Sequence, residues 1–344
     1  MSGKIGVERI LKEGYWERTS VVRKVDGTAA VRKEIKGDVD DRPWARLSLV
    51  REIRFLETLP ECATKYFPNV LTRWGIDEAS GPVGYEMPLY EGWSDVGSLV
   101  QKGILESGEG KRLEREVASV LVSKVHAGRV PEERLSHHVA SVMGLVCDAL
   151  AGRDGFESLV EDERIQIDGQ SLTGLRRSIE TIAARGLLDR LDDSPQVLLH
   201  GDLILENVLI PLDEGVGVKP RFVLIDPVSV AGVFVGHPAF DLAKYESYAS
   251  GDLFAMRSGA LVGKVRSPGS YSFNRREAGE LRRFRSAGLG KGFREQWTER
   301  YGEPDPELLH LLDAYFSLAM AINTSGAQPL TRALVAAKSL GYLL

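Results

Sequence analysis

The stretch that decides the fold is VLLHGDLILENVLI, residues 197–210, followed after a turn-rich connection by FVLIDP, residues 222–227. Within these stretches, residues 207–210 and 222–225 are short runs of apolar residues that predict a pair of strands. Polar side chains adjoin the apolar runs at Asp202, Asn207 and Asp226. Because a buried carboxylate is costly without a partner, each of these side chains requires an explanation.

Turn capping and metal binding are the two explanations to compare. Taken singly, each of the three residues is best explained as a cap of a turn at a strand end. Taken together, a single metal ion would provide a partner for all three side chains. A carboxylate and a side-chain amide oxygen are hard ligands of the kind that Mg²⁺ accepts alongside nucleotide phosphates. The group therefore favours a metal site.

Composition limits the class of protein. The chain has 344 residues, 43% hydrophobic and 27% charged, with a formal net charge of −5. This is typical of a globular protein and argues against nucleic acid as a partner. The length predicts two domains. Two cysteines form no disulfide framework, and neither a signal peptide nor a membrane span is indicated, so we expect a cytoplasmic protein with no membrane partner.

The N-terminal part predicts a hairpin. Residues 21–25 and 29–35 are strand-like and flank the turn sequence Asp26-Gly27. Alternation places Lys33 on the same face as Ala29, Val31 and Ile35. Taken alone, Lys33 is best explained as an edge lysine that reaches water.

Helices dominate the prediction beyond this hairpin. A helix is expected over 44–59, with Glu52 in its middle, and taken alone Glu52 is a surface carboxylate. An extended run at 84–89 leads to a break between Pro88 and Gly92 that predicts a linker. Apolar periodicity then predicts further helices; they cover residues 113–125, 135–150, 171–191, 277–285, 292–301 and 306–323.

In these residues, the sequence resembles the aminoglycoside phosphotransferase family of small-molecule kinases. His200-Gly201-Asp202 with Asn207 fits the family's H-G-D-x-x-x-x-N loop. Asp226, twenty-four positions after Asp202, fits its metal-binding aspartate. The resemblance implies an α+β, two-lobed protein-kinase-like fold. Its N-terminal antiparallel sheet lobe would comprise residues 1–92, and a larger, mostly helical C-terminal lobe residues 93–344.

The resemblance also implies roles for the site residues. Asp202 would accept the proton of the acceptor hydroxyl, and His200 would brace the catalytic loop. Asn207 and Asp226 would hold Mg²⁺. Lys33 would bind the phosphates of ATP while Glu52 tethers it. A further aspartate, Asp241, would pin the catalytic loop.

The nucleotide loop is the weakest part of the resemblance. Residues 14–20 contain one glycine rather than the G-x-G-x-x-G pattern of protein kinases. Thr19 and Ser20 are the candidate phosphate-binding residues there, although a plain turn explains them equally well. Main-chain groups between Glu86 and Leu89, including those of Met87, would pair with adenine.

The acceptor is a small molecule bearing a hydroxyl: an antibiotic of the aminoglycoside type, a sugar or an amino alcohol. A protein substrate is disfavoured because fifteen positions separate Asp226 from Asp241 and no A-P-E motif follows. Glu206, Glu246, Tyr248 and Asp252 are candidates for binding a cationic acceptor, but individually they are ordinary surface residues. The alternative function is a catalytically silent, kinase-like module that binds nucleotide. The oligomeric state stays open.

Overall fold

The structure is a computed structural model, and it describes residues 6–14, 17–36, 43–78, 80–105, 107–129, 133–212, 221–228, 232–276 and 279–344. Three predicted features lie partly outside these ranges. They are Tyr15 and Trp16 of the nucleotide loop, Glu277 at the start of the predicted helix 277–285, and residues 213–220 of the connection before Asp226.

Strands and helices are numbered in chain order. The strands are β1 Gly6–Glu13, β2 Glu17–Arg23, β3 Ala29–Ile35, β4 Thr72–Trp74, β5 Gly84–Pro88, β6 Trp93–Asp95, β7 Ile165–Ile167, β8 Gln170–Leu172, β9 Val197–Leu198, β10 Val208–Pro211, β11 Val223–Leu224, β12 Val235–Gly236, β13 Leu261–Ser267 and β14 Ser270–Arg275. The α-helices are α1 Pro43–Thr58, α2 Glu61–Thr64, α3 Val96–Lys102, α4 Ser107–Val120, α5 Leu135–Ala151, α6 Glu157–Glu161, α7 Leu175–Ala184, α8 Ala239–Ala249, α9 Asp252–Arg257, α10 Gly279–Ala287, α11 Lys291–Tyr301, α12 Pro306–Ala321 and α13 Gln328–Gly341.

The turn at Asp26-Gly27 forms the predicted hairpin of β2 and β3. Gly27 has a φ of +83°, a conformation that glycine adopts without a steric penalty. The Asp26 carboxylate accepts hydrogen bonds from the Thr28 N–H at 2.9 Å and the Thr28 hydroxyl at 2.6 Å. The residues of the turn therefore set the pairing of β2 with β3, in which Thr19 lies opposite Lys33.

An antiparallel sheet in the order β1-β2-β3-β5-β4 forms the N-terminal region. Helix α1 follows β3 and buries Leu49 and Ile53, as its apolar spacing predicts. Most of the remaining chain is helical. The predicted class, α+β with an N-terminal antiparallel sheet and a mostly helical C-terminal part, is confirmed.

The chain divides into two compact units. The first comprises residues 1–96, 200–202 and 206–234, and the second residues 97–199, 203–205 and 235–344. Every side chain that the sequence proposes for catalysis, nucleotide binding or metal binding belongs to the first unit. The boundary at Gly92 stays a prediction.

Strands in the second unit are the main departure from the prediction. A sheet in the order β13-β14-β7-β8 forms there; β7, β13 and β14 lie in segments without a predicted element, and β8 overlaps a predicted helix. The predicted helix 171–191 is wrong at both ends, because its first residues belong to β8 and α7 covers Leu175–Ala184. Gly174 marks the change, since a Cβ there would lie 2.2 Å from the carbonyl oxygen of Asp162. The helix predicted over 113–125 is confirmed as α4 followed by one π-helical segment, Leu121–Val125.

Within the described ranges, no helix combines the length and the apolar character that a bilayer span requires.

The two cysteines differ in exposure, and this yields a first prediction. Cys62 is exposed, whereas Cys147 is buried in α5 and burial raises the pKa of its thiol to about 12. Because the thiolate is the reactive form, Ellman's reagent at pH 8 should label one thiol in the native chain and both after denaturation. Rapid labelling of both thiols in the native protein would contradict the buried position of Cys147.

Candidate functional site

A buried lysine in β3 is the centre of the site. The Nζ atom of Lys33 lies 2.8 Å from a carboxylate oxygen of Glu52 and 3.2 Å from Oδ1 of Asp226. A third carboxylate, that of Glu17, lies 3.3 Å away. The side chain of Lys33 is 3% exposed, so the ammonium is held by carboxylates instead of reaching water. Strand β2, helix α1 and the segment after β11 each supply one of its partners.

The charges of this cluster support one another. Burial by itself lowers the pKa of Lys33, but the surrounding carboxylates, led by Asp226, outweigh it and raise that pKa well above the ordinary lysine value. Burial by itself raises the pKa of Asp226, but Lys33 and Lys12 overcome this effect and hold it below the ordinary value. Lys33 is therefore a cation and Asp226 an anion at neutral pH.

Glu52 is fixed from two sides. Besides the ion pair with Lys33, it accepts a hydrogen bond of 2.7 Å from the Tyr85 hydroxyl. Burial raises the pKa of Glu52 to about 7, and the attraction of Lys33 opposes this rise. A carboxylate in mid-helix that is 4% exposed is a positioning group rather than the surface residue that its helix suggests when taken alone.

The backbone around Asp226 adopts a rare conformation. Asp226 has a φ of +50° and Val228 a φ of +78°. Aspartate tolerates this left-handed region better than most residues, but a β-branched valine there is strained. The N–H of Val228 donates a hydrogen bond of 2.5 Å to the carbonyl of His200. Such strain is characteristic of functional sites, where surrounding contacts hold it.

Asp202, His200 and Asn207 form a second group of hydrogen-bonded residues. The Asp202 N–H donates to Nδ1 of His200 at 3.3 Å, and His200 is fully buried. Nδ2 of Asn207 donates to the Asp202 carbonyl at 2.8 Å and lies 3.4 Å from its Oδ2. Asp202 is itself half-buried. These contacts hold the loop in shape and favour the bracing role for His200.

Main-chain hydrogen bonds connect the two groups. The Ile225 N–H donates to the Asn207 carbonyl at 2.9 Å, next to the antiparallel pairing of β10 with β11. Together with the bond between Val228 and His200, this places the residue before Asp226 against the end of the Asp202 loop. The structure thus brings Lys33, Glu52 and Asp226 into direct contact and joins them to Asp202, His200 and Asn207.

Thr19 and Ser20 lie on opposite faces of β2. Thr19 is opposite Lys33 and shares its face, whereas Ser20 is opposite Arg32. Ser20 is fully buried, and its hydroxyl has no hydrogen-bond partner among the residues that the structure describes. Of these two candidates for phosphate binding, Thr19 is the one beside the lysine.

The proposed adenine-binding segment lies in and just after β5. Glu86 and Met87 are within the β3–β5 ladder, and the Glu86 carbonyl accepts a hydrogen bond of 2.8 Å from the Leu71 N–H. Leu89 follows the strand. The Glu86 carboxylate is buried and paired with Arg32 at 2.8 Å. Arg32 is therefore half-buried in an ion pair, although strand alternation from Lys33 predicts a solvated face for it.

Three residues of the cluster were not predicted from the sequence: Glu17, Tyr85 and Lys12. Glu17 and Tyr85 contact Lys33 and Glu52 as described above. Nζ of Lys12, in β1, lies 3.4 Å from Oδ2 of Asp226. Tyr85 lies directly opposite Lys33, and this pairing depends on the register of β3 against β5, which alternation within one strand does not determine. The face of Lys12 depends on an irregularity in β1.

In the second unit, Asp241 and the candidates for a cationic acceptor have structural partners. Asp241 in α8 lies 3.1 Å from Nε2 of His126, and both side chains are fully buried. Glu246 forms two hydrogen bonds with Arg294, at 2.6 and 2.5 Å. Tyr248 is fully buried, while Asp252 is exposed. Glu206, in the first unit, is half-buried.

The oxygen donors of Asp226 and Asn207 fit Mg²⁺. Since the amide nitrogen of Asn207 is engaged by Asp202, its oxygen is the atom that can act as a ligand. Two hard protein ligands suffice for an ion that retains water and takes phosphate oxygens. Within the described ranges, no cluster of three or more His, Cys, Asp or Glu residues is suited to a metal ion.

Comparisons with known proteins give similar structures but no sequence match. No protein-family model matches the chain, and no curated protein matches it in sequence. Among solved structures, a glucosamine kinase aligns at 13% identity and TM-score 0.48, covering 99% of this chain and 95% of that one. A putative fructosamine-3-kinase from Thermobifida fusca aligns at 15% identity and TM-score 0.48, covering 98% and 93%.

A third solved structure is similar over nearly the same length. The choline kinase from Cryptosporidium parvum aligns at 14% identity and TM-score 0.42, covering 99% of this chain and 88% of that one. At TM-scores below 0.5, the function has to be inferred from the side chains of this chain.

Proposed function

We propose that this protein is an ATP- and Mg²⁺-dependent kinase that phosphorylates a hydroxyl group of a small molecule. The observation that carries the proposal is the buried Lys33 ammonium, held by Glu52 and Asp226 and joined through main-chain hydrogen bonds to the Asp202 loop. A lysine–glutamate pair, a metal-binding aspartate and a loop with aspartate and asparagine are the parts that phosphoryl transfer uses. The resemblance to aminoglycoside phosphotransferases rests on the same residues.

Phosphoryl transfer requires positioning and neutralisation of charge more than covalent chemistry. Lys33 binds the inner phosphates of the nucleotide, and Glu52 keeps its ammonium in place. Asp226 and Asn207 hold Mg²⁺. When bound, the ion neutralises charge that develops on the phosphate oxygens.

Asp202 acts on the acceptor. Its half-buried carboxylate accepts a hydrogen bond from the acceptor hydroxyl and orients the oxygen for attack on the terminal phosphorus of ATP. The new O–P bond forms as the bond to ADP, the leaving group, breaks, and Asp202 takes the hydroxyl proton. The backbone of Asp202 is held through His200 and Asn207, so the carboxylate is placed without further reorganisation. His200 acts as a positioning residue in this scheme, and main-chain groups between Glu86 and Leu89 bind adenine.

Several features favour a small acceptor over a protein. Pro227 and Val228 follow Asp226, in place of the Phe-Gly of protein kinases, and the segment to Asp241 is short. Of the candidates for binding a cationic antibiotic, Glu246 is paired with Arg294 and Tyr248 is buried. An aminoglycoside acceptor is therefore not favoured over a sugar or an amino alcohol. The use of ATP fits a cytoplasmic enzyme.

A mass-spectrometric acceptor screen tests this function. Wild-type protein with Mg-ATP is incubated with aminoglycosides, sugars, amino sugars including glucosamine, and amino alcohols including choline. We expect at least one compound to gain the mass of a phosphate, and expect an Asp226→Asn variant to lose this product. Binding of Mg-ATP without modification of any acceptor would favour the silent nucleotide-binding module, and modification of peptides alone would contradict a small-molecule kinase.

A further inference from the structure

A β-bulge in β1 turns Lys12 toward the cluster around Lys33. Ile10 is paired with Ser20 and Lys12 with Thr19, so Leu11 is an extra residue in the ladder. If the pairing continued regularly from Ile10 and Ser20, Lys12 would lie opposite Arg18, on the other face of the sheet; a first irregularity in β1 lies between Val7 and Arg9. A bulge re-aims side chains in this way and is frequent beside functional sites. Because directly opposite residues share a face, Lys12, Thr19 and Lys33 form one row across three strands.

The two lysines of this row share the carboxylate of Asp226. Nζ of Lys33 lies 3.2 Å from Oδ1, and Nζ of Lys12 lies 3.4 Å from Oδ2. Their surroundings differ, since the Lys33 side chain is 3% exposed and the Lys12 side chain 59% exposed. An exposed ion pair of this length is weak and easily exchanged, so Lys12 can leave Asp226 for another anion, whereas Lys33 is fixed.

Lys12 contacts the aspartate that main-chain hydrogen bonds connect to the Asp202 loop. The Ile225 N–H donates to the Asn207 carbonyl and the Val228 N–H to the His200 carbonyl, on either side of Asp226. Because Mg²⁺ takes phosphate oxygens beside its protein ligands, a cation on Asp226 lies within reach of those phosphates. The hairpin that carries Lys12 has Gly14 as the one glycine between residues 7 and 26. The backbone cradle that a glycine-rich loop provides is therefore absent from the sequence.

We propose that Lys12 binds the terminal phosphate of the nucleotide and supplies a charge that a glycine-rich loop does not. This role rests on the proposed kinase function and extends it. In the free protein, Asp226 is the anionic partner of Lys12. With Asp226 engaged as a metal ligand, the ammonium turns to the adjacent terminal phosphate, for which lysine acts as a point charge. Lys33 remains on the inner phosphates.

Nucleotide binding measured by calorimetry tests the role of Lys12 without turnover. The probes are Mg-AMP-PNP, which has a terminal phosphate, and Mg-ADP, which lacks it. Lys12→Met should weaken Mg-AMP-PNP binding about tenfold, the effect of losing one charge-assisted contact, and change Mg-ADP binding by less than about twofold. Lys12→Arg should recover most of the loss. Arg9→Met, which removes an exposed cation three residues earlier in β1, is the matched control and should change neither constant.

The outcomes separate the two proposals. If wild type binds both nucleotides and Lys12→Met weakens them equally or leaves both unchanged, Lys12 does not bind the terminal phosphate, although the kinase function stands. If wild type binds neither nucleotide, the kinase function fails and the role of Lys12 fails with it. Thermal unfolding serves as the folding control, because an exposed side chain should change the melting temperature little.

Discussion

Replacing Asp202 with asparagine should lower kcat for phosphoryl transfer by about 10³-fold, within the range for loss of a general base. The variant keeps the size of the side chain and the main-chain contacts to His200 and Asn207, but removes the charge that accepts the acceptor proton. The Kd for Mg-ATP should change by no more than about threefold, because the lost interaction is made in the transition state. Steady-state kinetics and calorimetry measure the two effects.

A matched variant checks that the loss at Asp202 is specific. Glu91→Gln removes an exposed carboxylate from the same unit and should leave kcat unchanged. If the Asp202→Asn protein retains more than about a tenth of wild-type kcat, another group takes the proton. Equal losses of affinity and kcat would instead indicate that Asp202 organises the nucleotide site.

Replacing Lys33 with methionine should weaken nucleotide binding and destabilise the fold. The substitution leaves the buried carboxylate of Glu52 without an ammonium and the half-buried carboxylate of Asp226 with Lys12 alone. Removing one partner of a buried ion pair costs about 3–5 kcal/mol in the free energy of unfolding. We expect the Kd for Mg-ATP to rise at least about thirtyfold, because the lost contact involves two charged groups in a buried setting. Urea unfolding and calorimetry measure the two quantities.

The double variant Lys33→Met with Glu52→Gln separates the two roles of Lys33. Removing the charge of Glu52 relieves part of the burial cost, so the double variant should be more stable than Lys33→Met. Nucleotide affinity should not recover, because no ammonium reaches the phosphates. Recovery of affinity together with stability would show that Lys33 is structural and does not bind nucleotide.

The stability loss in Lys33→Met should grow between pH 7 and pH 9, because the buried Glu52, whose pKa is about 7 beside the ammonium, becomes harder to ionise without it. The pKa of Lys33 is raised by its carboxylate partners despite burial. A raised folded pKa means that the lysine's contribution to stability is present below its ordinary pKa and disappears as pH rises through the higher folded value. A stability difference that stays constant or shrinks between pH 7 and pH 9 would contradict these positions of the two pKa values.

Local sequence patterns predicted the parts of the site that lie within single elements. Alternation in β3 selects Lys33 rather than Arg32 for the inward face, and the structure buries that lysine. The spacing from Asp202 to Asn207 places both residues on one loop, where they are hydrogen-bonded. These predictions succeeded because strand and loop geometry depend on neighbouring residues.

Contacts between distant elements were not predictable in the same way. The sheet of β13, β14, β7 and β8 pairs three-residue strands with partners about a hundred positions away, and strands this short show no usable periodicity. The ion pair of Arg32 with Glu86 depends on the register of β3 against β5. Such pairings are set by the whole sheet, and local alternation says little about them.

Lys12 shows most clearly what the sequence by itself determined and what tertiary structure decided. The resemblance read from the sequence predicts the chemistry of the site: a lysine and a glutamate after the Asp-Gly turn, the H-G-D loop with its asparagine, and an aspartate at a strand end. It leaves Lys12 on an undetermined face, because the pairing of β1 has two irregularities and each of them inverts the alternation on which a face assignment relies. Pairing of β1 with β2 sets that register, and it places the second ammonium on Asp226.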